Sequence, residues 1–136
     1  PKKHDDDARP SVVVIGHFPR LAPIAQVARL YVLERQMRDG DYPDSACEYL
    51  LPGADYVICT GMTESNKTMP RLLELARGAY TVVTGPSTTV SPVLLEAGAT
   101  VLAGSYVEDP EAIRAYVSIG NTPMRSGGLG WATLSH

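Results

Sequence analysis

Five short apolar runs punctuate the chain, at residues 12–15, 30–33, 56–59, 80–83 and 100–103. Each is continuous rather than alternating and is rich in β-branched or aromatic side chains, the pattern of strands buried on both faces. Helix-period stretches lie between them. "DSACEYLL" sets Ser45 at an N-cap position with Glu48 three residues on, which predicts a capping box. "KTMPRLLELARG" puts Thr68 before a side of Met69, Leu72, Leu73 and Ala76, with Gly78 as the stop. Ser91 before Pro92 and Asp109 before Pro110 repeat the device, the first closed by Gly98 and the second carrying a stripe of Ala112, Ile113, Tyr116 and Val117. The first connection, residues 19–28, contains Pro23 and has room for only two or three helical turns.

Strand and helix in alternation, with short links, predict an α/β fold. It is a Rossmann-like open parallel sheet of about five strands with helices on both faces, spanning residues 11–119. Residues 1–10 read as a flexible lead-in or linker, and residues 120–136 as a glycine-rich tail or docking arm around Trp131.

The chain has 136 residues, enough for one domain with a real core. Its 44% hydrophobic and 20% charged residues fit a globular protein, and no run is long enough to span a bilayer. A formal net charge of −3 offers no basic field for phosphate backbones, so the expected partners are small molecules or proteins, not nucleic acid or membrane. The opening "PKKHDDDARP" has no apolar segment of the signal-peptide kind and no initiator methionine, so the expectation is a cytoplasmic chain, processed or truncated upstream. Cys47 and Cys59 form no close pair, and both are expected as reduced thiols, Cys59 buried in a strand and Cys47 on a helix.

In such folds ligands sit at the carboxyl ends of the strands. The first strand ends in Gly16, His17 and Phe18, the second in Glu34, and the third in a loop holding Thr60, Gly61 and Asn66. After the fourth come Gly85, Pro86, Ser87 and Thr88, whose N–H groups and hydroxyls suit a carboxylate or phosphate, or equally an ordinary strand-to-helix turn. Glu34 occupies the place where dinucleotide-binding folds carry the acid for a ribose diol, yet "GHFPRLAP" lacks the glycines of a pyrophosphate turn. His17 is a candidate base, metal ligand or hydrogen-bonding group. No motif names a nucleophile, so the catalytic residues, and whether the protein is an enzyme, stay open.

The stretches "VVVIGHFPRL", "YVLER", "DGDYPDSACEYLLPGADYVICTGMTESNKTM" and "VVTGPSTTVSPVLLEAGATVLAGSYVEDPE" together resemble the putative heavy-metal chelation family, a group of prokaryotic proteins of unknown function. The resemblance covers residues 11–119. It implies a Rossmann-like domain that follows a small enolase-like N-terminal domain, so a companion domain or another subunit is an expected partner. It also implies a ligand that is a small molecule or metal complex, with a transition metal or metal complex as the candidate cofactor and His17 as the candidate metal ligand. The resemblance extends to Asp41 and Pro43 as shared positions. Two other readings stand beside this one: a non-catalytic assembly module, and an enzyme using a nucleoside cofactor such as S-adenosylmethionine, which rests on Glu34 alone.

Overall fold

The computed structural model describes residues 7–16, 18–65 and 67–136. At its centre is β1 (Ser11–Ile15), whose Val13 and Val14 are almost fully buried, as a strand covered on both faces requires. It pairs in parallel with β2 (Arg29–Glu34) on one side and β4 (Tyr56–Thr60) on the other. Outward from β2 lies β3 (Tyr42–Pro43), and outward from β4 lie β5 (Tyr80–Thr84), β6 (Val101–Val107) and β7 (Leu129–Ser135). The order is β3-β2-β1-β4-β5-β6-β7.

The sheet thus has seven strands where the apolar pattern indicates about five. β3 is only two residues long, too short for any period to register. β7 comes from the glycine-rich segment and runs antiparallel to β6, Leu129 opposite Val107 and Ser135 opposite Val101. Gly130 is there to admit the ring of Tyr106, on which a Cβ would fall. What reads as a loose tail or arm contributes a strand to the chain's own sheet.

Helices cover both faces. α1 (Ala22–Val27) lies on one, where Phe18, Leu21 and Ile24 pack on Val12, Val14 and Ala28. On the other lie α2 (Cys47–Leu50), α3 (Met62–Ser65), α4 (Met69–Leu75) and α5 (Pro92–Glu96), ahead of α6 (Pro110–Ser118), which links β6 to β7. Leu33, Leu51, Val57 and Leu72 form one half of that second core, and Cys59, Leu73, Val83, Leu95 and Leu102 the other. Each fully buried aliphatic side chain contributes roughly 1.5–3 kcal/mol.

Two of the expected caps form: Ser91 Oγ accepts from Val93 N at 3.4 Å, and Asp109 Oδ1 from Glu111 N and Ala112 N at 3.1 and 3.0 Å. Two do not. Asp44–Ala46 makes a 3-10 turn with no side-chain cap, because Glu48 reaches instead to Arg71. Thr68 occupies the cap position of α4, but its hydroxyl donates back to the carbonyl of Thr63 at 3.4 Å. Cys59 is buried in β4, Cys47 is half-buried on α2, and both are free thiols.

At the amino ends of the strands β1 and β4 are latched together. Asp55 Oδ2 accepts from the Ser11 N–H at 2.8 Å and the Ser11 hydroxyl at 3.0 Å, and these bonds hold its carboxyl below the usual carboxylate range.

Candidate functional site

The strand order reverses at β1, since the chain goes outward to β2 and then returns to lay β4 on the opposite side. Neighbouring connections diverge there, which leaves a crevice above the carboxyl ends. A cleft of about 770 Å³ occupies this place. Its floor is Ile15, Gly16, Leu33 and Thr60, and its walls come from α2 on one side and α3, α4 and the loop between them on the other. Gly16 adopts φ +101° at the end of β1, and a Cβ there would lie 3.2 Å from Thr60 Cγ2, so glycine keeps the floor open.

Charged groups rim this apolar floor, and most are matched to each other. Arg35 Nε meets Asp44 Oδ2 at 2.9 Å. Arg71 grips Glu48 through two bonds, Nε to Oε1 at 3.1 Å and Nη2 to Oε2 at 2.8 Å, and also reaches Glu74 at 2.8 Å. The guanidinium holds the Glu48 carboxyl below its ordinary range, and the carboxylates hold Arg71 firmly charged. Two lining charges have no opposite partner among the described residues: Glu34, whose Oε1 accepts only the Arg35 N–H at 2.7 Å, and Lys67. Lys67 also adopts φ +63°, an uncommon conformation for a residue with a side chain.

Gly16, Glu34 and Thr60 are therefore brought into one cleft. Phe18 turns to the opposite face and packs in the core under α1. His17 and Asn66 lie outside the described residues. Gly61, Gly85, Pro86, Ser87 and Thr88 do not line the cleft but form a block behind Thr60. In that block the Gly85 N–H goes to the Ala103 carbonyl at 3.2 Å and the Thr88 N–H to the Gly85 carbonyl at 3.1 Å. Thr88 is buried, and its hydroxyl has no partner among the described residues. Strand-end reasoning misses Asp44, Cys47, Glu48 and Arg71, which reach the cleft from α2, its approach and α4, and it reaches the loop of Lys67 without choosing that residue.

The donors that the described residues bring to the cleft do not suit a bare metal ion. Among the described residues no three His, Cys, Asp or Glu side chains gather as a ligand set. Asp44 and Glu48 are engaged by arginines, and burial, with help from the nearby Glu48 and Asp44 carboxylates, pushes the Cys47 thiol up and away from the thiolate a soft metal needs.

Comparison with known proteins gives the same fold. A family model described as DUF364, putative heavy-metal chelation, matches residues 3–134. A solved DUF364-family protein of unknown function from Desulfitobacterium hafniense DCB-2 is 35% identical, with a TM-score of 0.84 over 94% of this chain and 53% of that one. Another of unknown function, from Pyrococcus horikoshii, is 23% identical with a TM-score of 0.83, over 93% of this chain and 54% of that one, a likeness of fold. The chain spans about half the length of these solved structures. No curated protein matches.

Proposed function

Because the chain belongs to the DUF364 family of putative heavy-metal chelation proteins, we propose that it is a small-ligand or metal-complex binding domain. Its ligand lies in the cleft at the carboxyl ends of β1, β2 and β4, against Gly16, Glu34 and Thr60. The observation that carries this reading is the pair of charges, Glu34 and Lys67, that find no opposite partner among the described residues of an otherwise charge-balanced cleft. A metal enters as part of a complex, since the described donors do not suit a bare ion. The block at Gly61, Gly85, Pro86, Ser87 and Thr88 backs the wall at Thr60, and His17 and Asn66 stay candidates on their sequence positions alone. The greater length of the solved relatives supports a companion domain that covers the cleft.

Native mass spectrometry with metal analysis, on protein equilibrated with a cell extract of small molecules, tests this. The expected result is a bound small molecule or complex whose occupancy falls in Glu34→Ala, with metal content falling in His17→Ala. A spectrum of bare chain alone would overturn the proposal.

One observation favours the assembly reading as a second role. β7 lies at the end of the sheet, and its seven residues include no charge and no proline, the devices that normally blunt an open edge. Light scattering across a concentration series tests it, self-association weakened by Thr133→Lys being the expected result and a monomer throughout the contrary one.

A further inference from the structure

We infer that the cleft takes a nucleoside bearing one anionic group, with Glu34 accepting from the ribose hydroxyls and Lys67 facing the anion. This rests on the reading of the cleft as the ligand site and goes further by naming the ligand's class. The first ground is topological. The strands follow the 3-2-1-4-5-6 order, in which the crevice beside β1 and the acid at the end of β2 hold a ribose, and Glu34 is the last residue of β2 and lines that crevice.

The second ground is the state of the carboxylate. Its Oε1 is anchored on the Arg35 N–H, while the arginines nearby are taken by Asp44 and Glu48, so Glu34 is held in place as an acceptor and not neutralised by an ion pair. Two vicinal hydroxyls are the donors such a group accepts. The third ground is shape. Ile15, Met62 and the edge of Leu72 give apolar contact for a base, and about 770 Å³ falls within the range of small-ligand pockets.

The same geometry limits the phosphate content. Gly16 is the only glycine among the described residues lining the cleft, and Phe18 and Leu21 stand where a G-x-G-x-x-G turn places further glycines, so the close approach a pyrophosphate needs is not provided. Among the described residues lining the cleft one cation, Lys67, has no opposite partner, and it answers one anion, a phosphate or an amino-acid carboxylate attached to the nucleoside.

Titration calorimetry with AMP, GMP, S-adenosylhomocysteine, adenosine and 2′,3′-dideoxy-AMP tests the inference, and the AMP and homocysteine arms separate phosphate from carboxylate. One of the anionic ribonucleosides should bind. Dideoxy-AMP should bind about tenfold or more weakly than AMP if AMP is the ligand. Glu34→Gln should weaken the ribonucleoside by a similar factor while leaving dideoxy-AMP unchanged, and Lys67→Ala should weaken the anionic ligand but not adenosine. Both variants are to be checked for cooperative melting. Absence of binding by every probe up to about 1 mM, or indifference to Glu34→Gln in a folded variant, overturns the nucleoside assignment. If native spectra still show another molecule lost in Glu34→Ala, the cleft remains the site and only its ligand class falls. If they show none, both fall.

Discussion

Adjacent strands β4 and β5 both end in a Thr-Gly turn, "TGMTE" and "TGPST", and the two ends do opposite things. Beside β4 the floor opens on a cleft; beside β5 the turn is clamped. A Cβ on Gly61 would lie 2.5 Å from Thr88 N and 2.7 Å from Ser87 C, and one on Gly104 would lie 2.6 Å from Thr88 O. Backbone therefore approaches the turn of residues 85–88 from both neighbouring strands, and Ser105 Oγ donates to its Pro86 carbonyl at 3.0 Å. A glycine that makes room for a ligand and a glycine that makes room for another chain segment look alike in sequence. Only what stands opposite the missing Cβ tells them apart.

Substitutions of Gly16, on the cleft floor at the end of β1, and of Gly61, which backs onto the packed turn, sharpen this contrast. The largest effect is expected for Gly61→Ala, whose methyl would press on the Thr88 backbone; it should lose about 3 kcal/mol, read as a fall in the denaturant midpoint. Gly16→Ala should cost less, about 1–2 kcal/mol, since the strain is its positive φ and the nearest atom is the tip of a side chain. Equal losses at the two positions would break the distinction between an open and a packed end.

Smaller effects test the same division. Thr88→Val replaces a buried hydroxyl without a partner by a methyl group of the same shape, so stability should hold or rise by up to about 1 kcal/mol, with ligand binding unaltered. A fall in ligand affinity would mean the packed turn takes part in the site. Lys67→Gly should raise stability by about 0.5 kcal/mol through relief of its left-handed backbone, while weakening the anionic ligand. Thermal melts and calorimetry on the same preparation measure both.

Much of the fold was legible because five strands appear as short apolar runs, although only β1 is buried nearly throughout and the other four alternate buried with half-buried positions or are mostly half-buried. β7 was not, because Gly130 interrupts its alternation and its burial depends on Tyr106, a residue of another strand. The Ser45 capping box was a sound local reading that lost to a long-range bond, since Glu48 finds a bidentate arginine on α4. For the site, Gly16, Glu34 and Thr60 follow from the rule that ligands lie beyond strand ends. Asp44, Cys47, Glu48 and Arg71 do not, because their place depends on how the β2–β4 and β4–β5 connections close on each other above β1, which no local pattern records.

β1 and β4 touch along their whole length yet are far apart in the chain, the Ser11–Asp55 latch spanning 44 positions. β1 and β2 are joined by a much shorter loop, so a folding chain closes the β1–β4 line later and at greater entropic cost. This line is the seam where residues 11–53 meet residues 54–135, with Leu33 and Leu51 packed in one core with Val57 and Leu72 across it. A molecule seated above Ile15 and Thr60 straddles the seam and works as a staple, and its signature is slowed amide exchange along β1 and β4, with β6 and β7 left unchanged.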